Sequence, residues 1–281
     1  FFRMFGLSDE GLTATDIETL RDYKHLVYEG LLRALELGVQ KSAAAVLVDE
    51  YFGAAIHREA EALGITRILT TEKSGQDEFA FEYGDAFGDH IKELKPHYAK
   101  ALVRYNPFQD AAANQRQSGR LKQLNDFCKE NGFGFLIEPL APGTEAQLAE
   151  YGAEGYETHK RYEVMIGTVK ELHGRGIEPD VWKLEGLSDL NQMTAVVDEV
   201  LKDGRDAGVV VLGRGESEEK VKEWLSVAAG IEGVIGFAVG RTVFKGELVA
   251  YHGKQKSRAE AVEGIARNYK GFVDLFEGAR I

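Results

Sequence analysis

Short apolar runs alternate with helical segments along nearly the whole chain, and this alternation constrains the fold more than any other feature. Each run is short enough for a strand, and most of the intervening segments have apolar residues at helical spacing, with glycine or proline at their ends. The eight runs are residues 1–7, 43–48, 65–70, 101–105, 133–137, 179–186, 208–212 and 234–239. Because neighbouring parallel strands need long crossover connections, we predict a parallel α/β sheet with helical crossovers.

Eight such units within 281 residues favour a (β/α)8 TIM barrel that forms a single domain over residues 1–281. The competing architecture is an open, doubly wound sheet. That fold commonly carries a Gly-x-Gly-x-x-Gly sequence between its first strand and the following helix, and this chain has none there. The barrel is therefore the better prediction.

A lysine, Lys183, interrupts the apolar run at 179–186, at a place where a buried strand would carry Val or Leu. Because side chains alternate along a strand, Trp182 and Leu184 would face one layer and Lys183 the other. In a closed barrel Lys183 would point into the lumen near the strand's carboxyl end, where barrel enzymes place their chemistry. Burial lowers the pKa of an amine, which can then attack a carbonyl to form a Schiff base. A purely structural ion pair with Glu185 or another carboxylate is the competing interpretation.

The predicted strands from the second to the eighth all end in charged or glycine-containing sequences. The residues at these ends are Asp49, Glu72, Lys73, Arg104, Glu138, Lys183, Gly213, Arg214, Gly240 and Arg241. Several charges converging on one rim cost more desolvation than a structural barrel requires, so the set favours a functional site. The glycine–arginine loops follow the last two strands, where barrel enzymes commonly bind phosphate.

Three carboxylates are candidates for proton transfer beside Lys183. Glu138 fits this role, because forming and breaking a Schiff base needs an acid or base within hydrogen-bond reach. Asp49 and Glu72 fit the same role, and the sequence does not rank the three. A salt bridge from Asp49 to Lys73 or Arg104 is the structural interpretation of these charges.

Composition narrows the partners and cofactors. A formal net charge of −12 argues against nucleic-acid and membrane binding, since either needs a basic face. The single cysteine, Cys128, excludes an intrachain disulfide. The seven histidines show no metal-ligand spacing, so neither a metal nor another cofactor is predicted. With no apolar run of membrane-spanning length and no secretory signal pattern in residues 1–20, the expected location is cytoplasmic.

Several segments together resemble class I aldolases of the tagatose-1,6-bisphosphate aldolase-like family. Most similar is the aldolase-like domain fused to 5-dehydro-2-deoxygluconokinase in bacterial inositol catabolism. The strongest segments are PDVWKLEG at 179–186, LIEPL at 136–140, ALVRYNP at 101–107, VLGRG at 211–215 and GFAVGRT at 236–242, and weaker ones are TEKSG at 71–75 and LVDEYFG at 47–53. The resemblance covers nearly the whole chain from about residue 40.

This resemblance implies a metal-independent Schiff-base aldolase with Lys183 as the reacting amine, Glu138 as an acid/base and Arg241 on phosphate. It implies cleavage of a phosphorylated keto-sugar or keto-acid, such as 2-deoxy-5-keto-gluconate 6-phosphate or a ketose bisphosphate, into dihydroxyacetone phosphate and an aldehyde. Barrel aldolases often associate, so a homo-oligomer is an expectation. Relatives carry Asp followed by His-Arg or Gln-Arg after the first strand, whereas this chain reads Ser-Asp-Glu-Gly at 8–11.

Two other functions fit the same residues. A phosphosugar isomerase or epimerase would use Glu138 and Asp49 as bases, with Lys183 acting only electrostatically. A phosphosugar-binding regulator would keep the pocket and lack the chemistry. Only the aldolase predicts a covalent adduct at Lys183.

Overall fold

Seven parallel strands form one sheet in the computed structural model, which describes residues 1–7 and 11–280. The strands are β1 Ala45–Val48, β2 Thr66–Thr70, β3 Tyr98–Arg104, β4 Gly134–Leu140, β5 Val181–Glu185, β6 Gly208–Leu212 and β7 Val234–Ala238. Each strand pairs in parallel with the next, in the order β1 to β7. Residues from all seven strands line one common cavity, so the sheet is curled as a barrel wall. The predicted α/β barrel class is confirmed.

The opening run differs from its prediction as a strand. Phe2–Phe5 forms a 3-10 helix, and within residues 1–7 and 11–280 no further strand joins β1 to β7. Aromatic packing accounts for the placement of this segment: Phe1 contacts Phe244, and Phe2 contacts Phe52. The described sheet therefore has two edges, β1 and β7, rather than a closed circle of eight strands.

Ten helices cover the outside of the sheet in the described part of the chain. They are α1 Ala14–Glu36, α2 Glu50–Ala62, α3 Phe87–Leu94, α4 Ala111–Asn131, α5 Glu145–Gly155, α6 Arg161–Gly174, α7 Leu190–Leu201, α8 Glu218–Ala228, α9 Arg241–His252 and α10 Arg258–Gly278. No helix among the described residues is both long and apolar enough to cross a bilayer.

Side-chain capping fixes where several helices begin. Thr13 and Asp16 form a reciprocal capping box at the start of α1, two residues earlier than the Thr-Asp-Ile-Glu pattern at 15–18 predicts. Ser257 and Glu260 form the same arrangement before α10. At the other end of α4, Gly132 has a φ of 73°, which is the left-handed conformation that ends many helices.

The alternation of side chains decides what reaches the lumen. On β5, Trp182 and Leu184 are buried in the main hydrophobic core, whereas Lys183 lines the cavity. On β3, the alternate residues Leu102 and Arg104 line the cavity in the same way. The predicted division of β5 into a packing face and a lumen face is therefore the one observed.

We expect Trp182→Ala to lower the free energy of unfolding by about 3–5 kcal/mol, because it empties a large site in a close-packed core. Trp182 is fully buried, whereas Phe108 is 66% exposed, so Phe108→Ala is a matched control expected to stay within about 0.5 kcal/mol. Urea unfolding followed by circular dichroism measures both. Equal losses in the two variants would contradict this packing of β5.

Candidate active site

A cavity of about 1800 Å³ runs through the lumen, and its lining includes residues from both ends of the strands and from α1 and α10. Its lining combines apolar strand residues with charged residues from the strand ends and from the loop after β2. The charged and polar members include Lys24, Asp49, Glu72, Lys73, Gln76, Arg104 and Lys183. The cavity therefore brings together residues that lie far apart in the sequence, as the barrel prediction requires.

Lys183 lies at the centre of β5 with its side chain 12% exposed. Its Nζ donates a hydrogen bond of 3.0 Å to Glu138 Oε2 on β4. Burial lowers the pKa of Lys183, and the nearby Lys100 ammonium lowers it further, while Glu138 acts in the opposite direction. The net direction is downward, which increases the fraction of neutral, nucleophilic amine.

Lys100 is a second buried lysine in the site, and our sequence analysis did not identify it. Its side chain is 4% exposed; its Nζ lies 2.8 Å from Glu138 Oε2 and also contacts Glu72. The signal was present in the alternation of β3, since Lys100 shares a face with Leu102 and Arg104. The predicted strand began at residue 101, whereas β3 begins at Tyr98, so Lys100 fell outside the prediction.

Glu72, Lys100, Glu138 and Lys183 form a continuous row of alternating charge across four strands or strand ends, which we call the charge row. Burial alone would raise the pKa of Glu138, but the two ammonium groups outweigh burial and lower it. Burial would likewise lower the pKa of Lys100, but Glu72 and Glu138 raise it. Lys100 is thus held as a cation and Glu138 as an anion, whereas the pKa of Lys183 is lowered and its charged form is disfavoured.

Asp49 lies at the cavity wall and has two local partners. Its Oδ1 accepts the Phe52 backbone N–H at 2.8 Å and so caps α2. Its Oδ2 forms an ion pair with Lys24 on α1. The salt bridge that the structural interpretation assigned to Asp49 is thus made with Lys24 rather than with Lys73 or Arg104.

The loop after β2 covers part of the cavity and carries two predicted substrate-binding residues. Glu72 pairs with Lys100, and its Oε2 is buried without a hydrogen-bond partner in the described structure. Lys73 is exposed and lines the cavity. Arg104 lies across from this loop and donates a 2.6 Å hydrogen bond to the Gln76 carbonyl.

The two predicted phosphate loops lie side by side after β6 and β7. Strands β5, β6 and β7 are neighbours, with Lys183 in register with Val210 and Val210 with Gly236. Helix α9 begins at Arg241 directly after Gly240, so its first unpaired N–H groups lie beyond the carboxyl end of β7. These features are those of an anion site at a helix N-terminus.

Arg241 packs across the loop that follows β6. Its Nη2 donates a 3.1 Å hydrogen bond to the Arg214 carbonyl. Gly215 has a φ of 85°, which favours glycine, and a Cβ there would lie 2.6 Å from the same nitrogen, so glycine permits this close approach. Gly213 is similarly confined, since a Cβ there would contact Val221 at 3.1 Å. Gly215 thus serves the packing of Arg241 as well as the turn.

Residues 8–10, which include most of the sequence departure at 8–11, lie outside the described residues. Within residues 1–7 and 11–280, no three His, Cys, Asp or Glu side chains are grouped as potential metal ligands.

Comparison with solved structures shows the same fold in fructose-bisphosphate aldolases. The enzyme from Plasmodium falciparum is 16% identical with a TM-score of 0.56, over 85% of this chain and 78% of that one. An archaeal enzyme is 13% identical with a TM-score of 0.53, over 90% of this chain and 99% of that one. The enzyme from Slackia heliotrinireducens is 15% identical with a TM-score of 0.56, over 99% of this chain and 81% of that one.

At these levels of identity the likeness concerns the fold alone. No curated protein sequence matches the chain significantly. A family profile does match, over residues 5–280. This chain therefore belongs to the family described as "Uncharacterized protein conserved in bacteria (DUF2090)".

Proposed function

We propose that this protein is a class I aldolase that forms a Schiff base through Lys183. The observation that carries the proposal is the buried amine of Lys183, 3.0 Å from Glu138 and beside the cationic Lys100. The cavity supplies room for a sugar-sized substrate around that amine. The aldolase-like fold and the resemblance of the segments around Lys183, Glu138 and Arg241 agree with this assignment.

The charge row suits the steps of such a reaction. With carbons numbered from the phosphate-bearing end, the neutral Lys183 amine attacks the C2 carbonyl of the substrate, and the resulting carbinolamine loses water to give an iminium ion. Glu138 is close enough to move the protons that these steps require. The iminium then accepts the electron pair of the C3–C4 bond as that bond breaks, the C4 hydroxyl loses its proton, and an aldehyde leaves. Protonation of the enamine at C3 and hydrolysis release dihydroxyacetone phosphate and restore the amine.

Asp49 and Glu72 are further proton-transfer candidates, and they differ in their contacts. Asp49 already caps α2 and pairs with Lys24, whereas the second oxygen of Glu72 has no partner in the described structure. Glu72 is therefore suited to accept a substrate hydroxyl. Lys73 and Arg104, at the cavity wall, are suited to an anionic group at the other end of the substrate.

We assign the substrate phosphate to the loops after β6 and β7, with Gly213, Arg214, Gly240 and Arg241. Arg241 offers a charged, forked donor, the Arg214 guanidinium is engaged by Glu157 and Glu185, and the helix N-terminus adds N–H groups. The proposed substrate is a phosphorylated keto-sugar or keto-acid, such as 2-deoxy-5-keto-gluconate 6-phosphate or a ketose bisphosphate. A role in inositol catabolism is the proposed setting.

Borohydride trapping tests the mechanism directly. With dihydroxyacetone phosphate present, we expect a covalent adduct at Lys183, located by peptide mass spectrometry, because only an iminium is reduced to a stable amine. Lys183→Ala should lose the adduct and the turnover while retaining its circular dichroism spectrum. Lys202→Ala, at a side chain that is 55% exposed, is the matched control and should retain both.

The same experiment separates the competing functions. An isomerase or epimerase would turn over substrate without an adduct, and a regulator would bind it without either. Turnover that survives Lys183→Ala, or that chelators abolish, would contradict the proposal.

A pH profile tests the role of Lys100. Burial is the first cause of the lowered pKa of Lys183, and the charge of Lys100 adds to it, so Lys100→Met should raise that pKa. Because the neutral amine reacts, the rate of adduct formation rises with pH through this pKa. The rising limb should therefore move to higher pH in Lys100→Met and stay in place in Lys202→Met. A limb that stays or moves to lower pH in Lys100→Met would contradict this account.

A further inference from the structure

Glu185 is a buried carboxylate at the exit of β5 that the proposed reaction does not use. It lies two residues beyond Lys183 on the same face of the strand, and its side chain is 2% exposed. Its Oε2 accepts a 2.9 Å hydrogen bond from the Ala141 N–H, directly after β4. Its Oε1 lies 3.0 Å from Arg214 Nε, in the loop after β6. One side chain therefore joins the exits of three neighbouring strands.

Arg161, at the start of α6, completes the surroundings of this carboxylate. Its side chain is 3% exposed, and its Nη2 donates a 3.0 Å hydrogen bond to the Gly186 carbonyl. Its Nη1 lies 3.9 Å from Glu185, and its Nε lies 2.9 Å from Glu157. Glu157 in turn accepts a 2.5 Å hydrogen bond from Arg214 Nη1. We call Glu157, Arg161, Glu185 and Arg214 the loop anchor; its two positive and two negative charges balance.

The loop anchor holds Arg214 in an uncommon backbone conformation. Arg214 has a φ of 53°, a left-handed value that is unfavourable for a residue with a side chain. Its guanidinium is held by the two glutamates, while its carbonyl accepts the hydrogen bond from Arg241 Nη2 at 3.1 Å. Among the described residues this is the one hydrogen bond that the Arg241 guanidinium makes. The other N–H groups of this exposed guanidinium remain available to an anion.

We propose that Glu185 is a positioning residue for substrate phosphate: it fixes Arg214, which in turn orients Arg241 toward the phosphate. This inference rests on the proposed function for the identity of the anion. In this arrangement Arg241 supplies the direct contact, and Arg214 acts through its backbone carbonyl. Because Glu185 and Lys183 share β5, the same strand sets the distance between the phosphate and the reacting carbonyl.

If Arg241 contacts the phosphate and Glu185 only positions Arg241, loss of Glu185 should weaken binding more than it slows turnover. Glu185→Gln keeps the shape of the side chain but removes the charge that holds Arg214. We expect the dissociation constant for inorganic phosphate, measured by calorimetry, to rise about tenfold, the size of one lost charge-assisted hydrogen bond. The KM of the phosphorylated substrate should rise by a similar factor, while kcat changes little.

Glu171→Gln is the matched control for loss of a partly buried glutamate. Glu171 accepts hydrogen bonds from Arg175 and Tyr105, and its side chain is 27% exposed. It has no contact with the loop anchor, so phosphate affinity should be unchanged even where the melting temperature falls. A loss of affinity in both variants would show a general stability effect and overturn the proposal.

A double-variant cycle tests the route through Arg214. If Glu185 acts by holding Arg214, then Glu185→Gln should weaken phosphate binding no further once Arg214→Gln is present. Additive losses would overturn that route. Arg214→Gln also covers the case in which Glu185→Gln fails to fold, since Arg214 is 32% exposed and its loss alone should weaken phosphate binding about tenfold.

The phosphate-binding and Lys183-trapping experiments test the two proposals separately. If the adduct at Lys183 is absent but phosphate binds and weakens in Glu185→Gln, the proposed aldolase function is wrong and the loop anchor stands. If the adduct forms but phosphate affinity is the same in Glu185→Gln and the unaltered protein, the positioning role is wrong. Failure of the unaltered protein to bind phosphate at millimolar concentration would also overturn it.

Discussion

The site depends on the placement of one carboxylate, Glu138, between two buried ammonium groups. Burying a lysine without a partner is strongly unfavourable, and a lysine that is fully neutralised by its partner stays protonated. Glu138 is shared between Lys183 and Lys100, and Lys100 also contacts Glu72. Of the carboxylates that the structure describes, Lys100 therefore contacts two, whereas Lys183 contacts only the one that it shares. Lys183 remains in the lumen with a lowered pKa, which is the physical basis of the proposed nucleophile.

The barrel places these charges together because successive side chains along each strand point alternately outward and into the lumen. The same alternation that buries Trp182 under the helices turns Lys183 inward, and the equivalent alternation on β3 and β4 turns Lys100 and Glu138 toward it. Parallel pairing brings the carboxyl ends of the strands to one rim. The loop anchor then extends the arrangement sideways, from β5 to the loops after β6 and β7. The proposed nucleophile and the proposed phosphate loops are therefore built on the same three neighbouring strands.

Much of this could be predicted from the sequence, because the relevant signals are local. Apolar runs and helix caps predicted the barrel class, and the odd lysine in an apolar run predicted the inward-facing Lys183. The exceptions have non-local causes. Phe2–Phe5 is apolar enough for a strand, but it forms a 3-10 helix whose neighbours Phe244 and Phe52 are distant in sequence. The partners of Arg214 lie on two other segments, and the contact between Lys100 and Glu138 depends on the register of β3 with β4.

The most direct test of the central claim is the titration of Lys183 itself, free of substrate. In protein with isotopically labelled lysine, the Lys183 side-chain signal can be assigned by its loss in Lys183→Arg and followed by NMR against pH. We expect it to titrate below the usual lysine pKa of about 10.4 and to move upward when Lys100 is replaced. Titration of Lys183 at or above the usual value would contradict the account, because the amine would then be a structural cation.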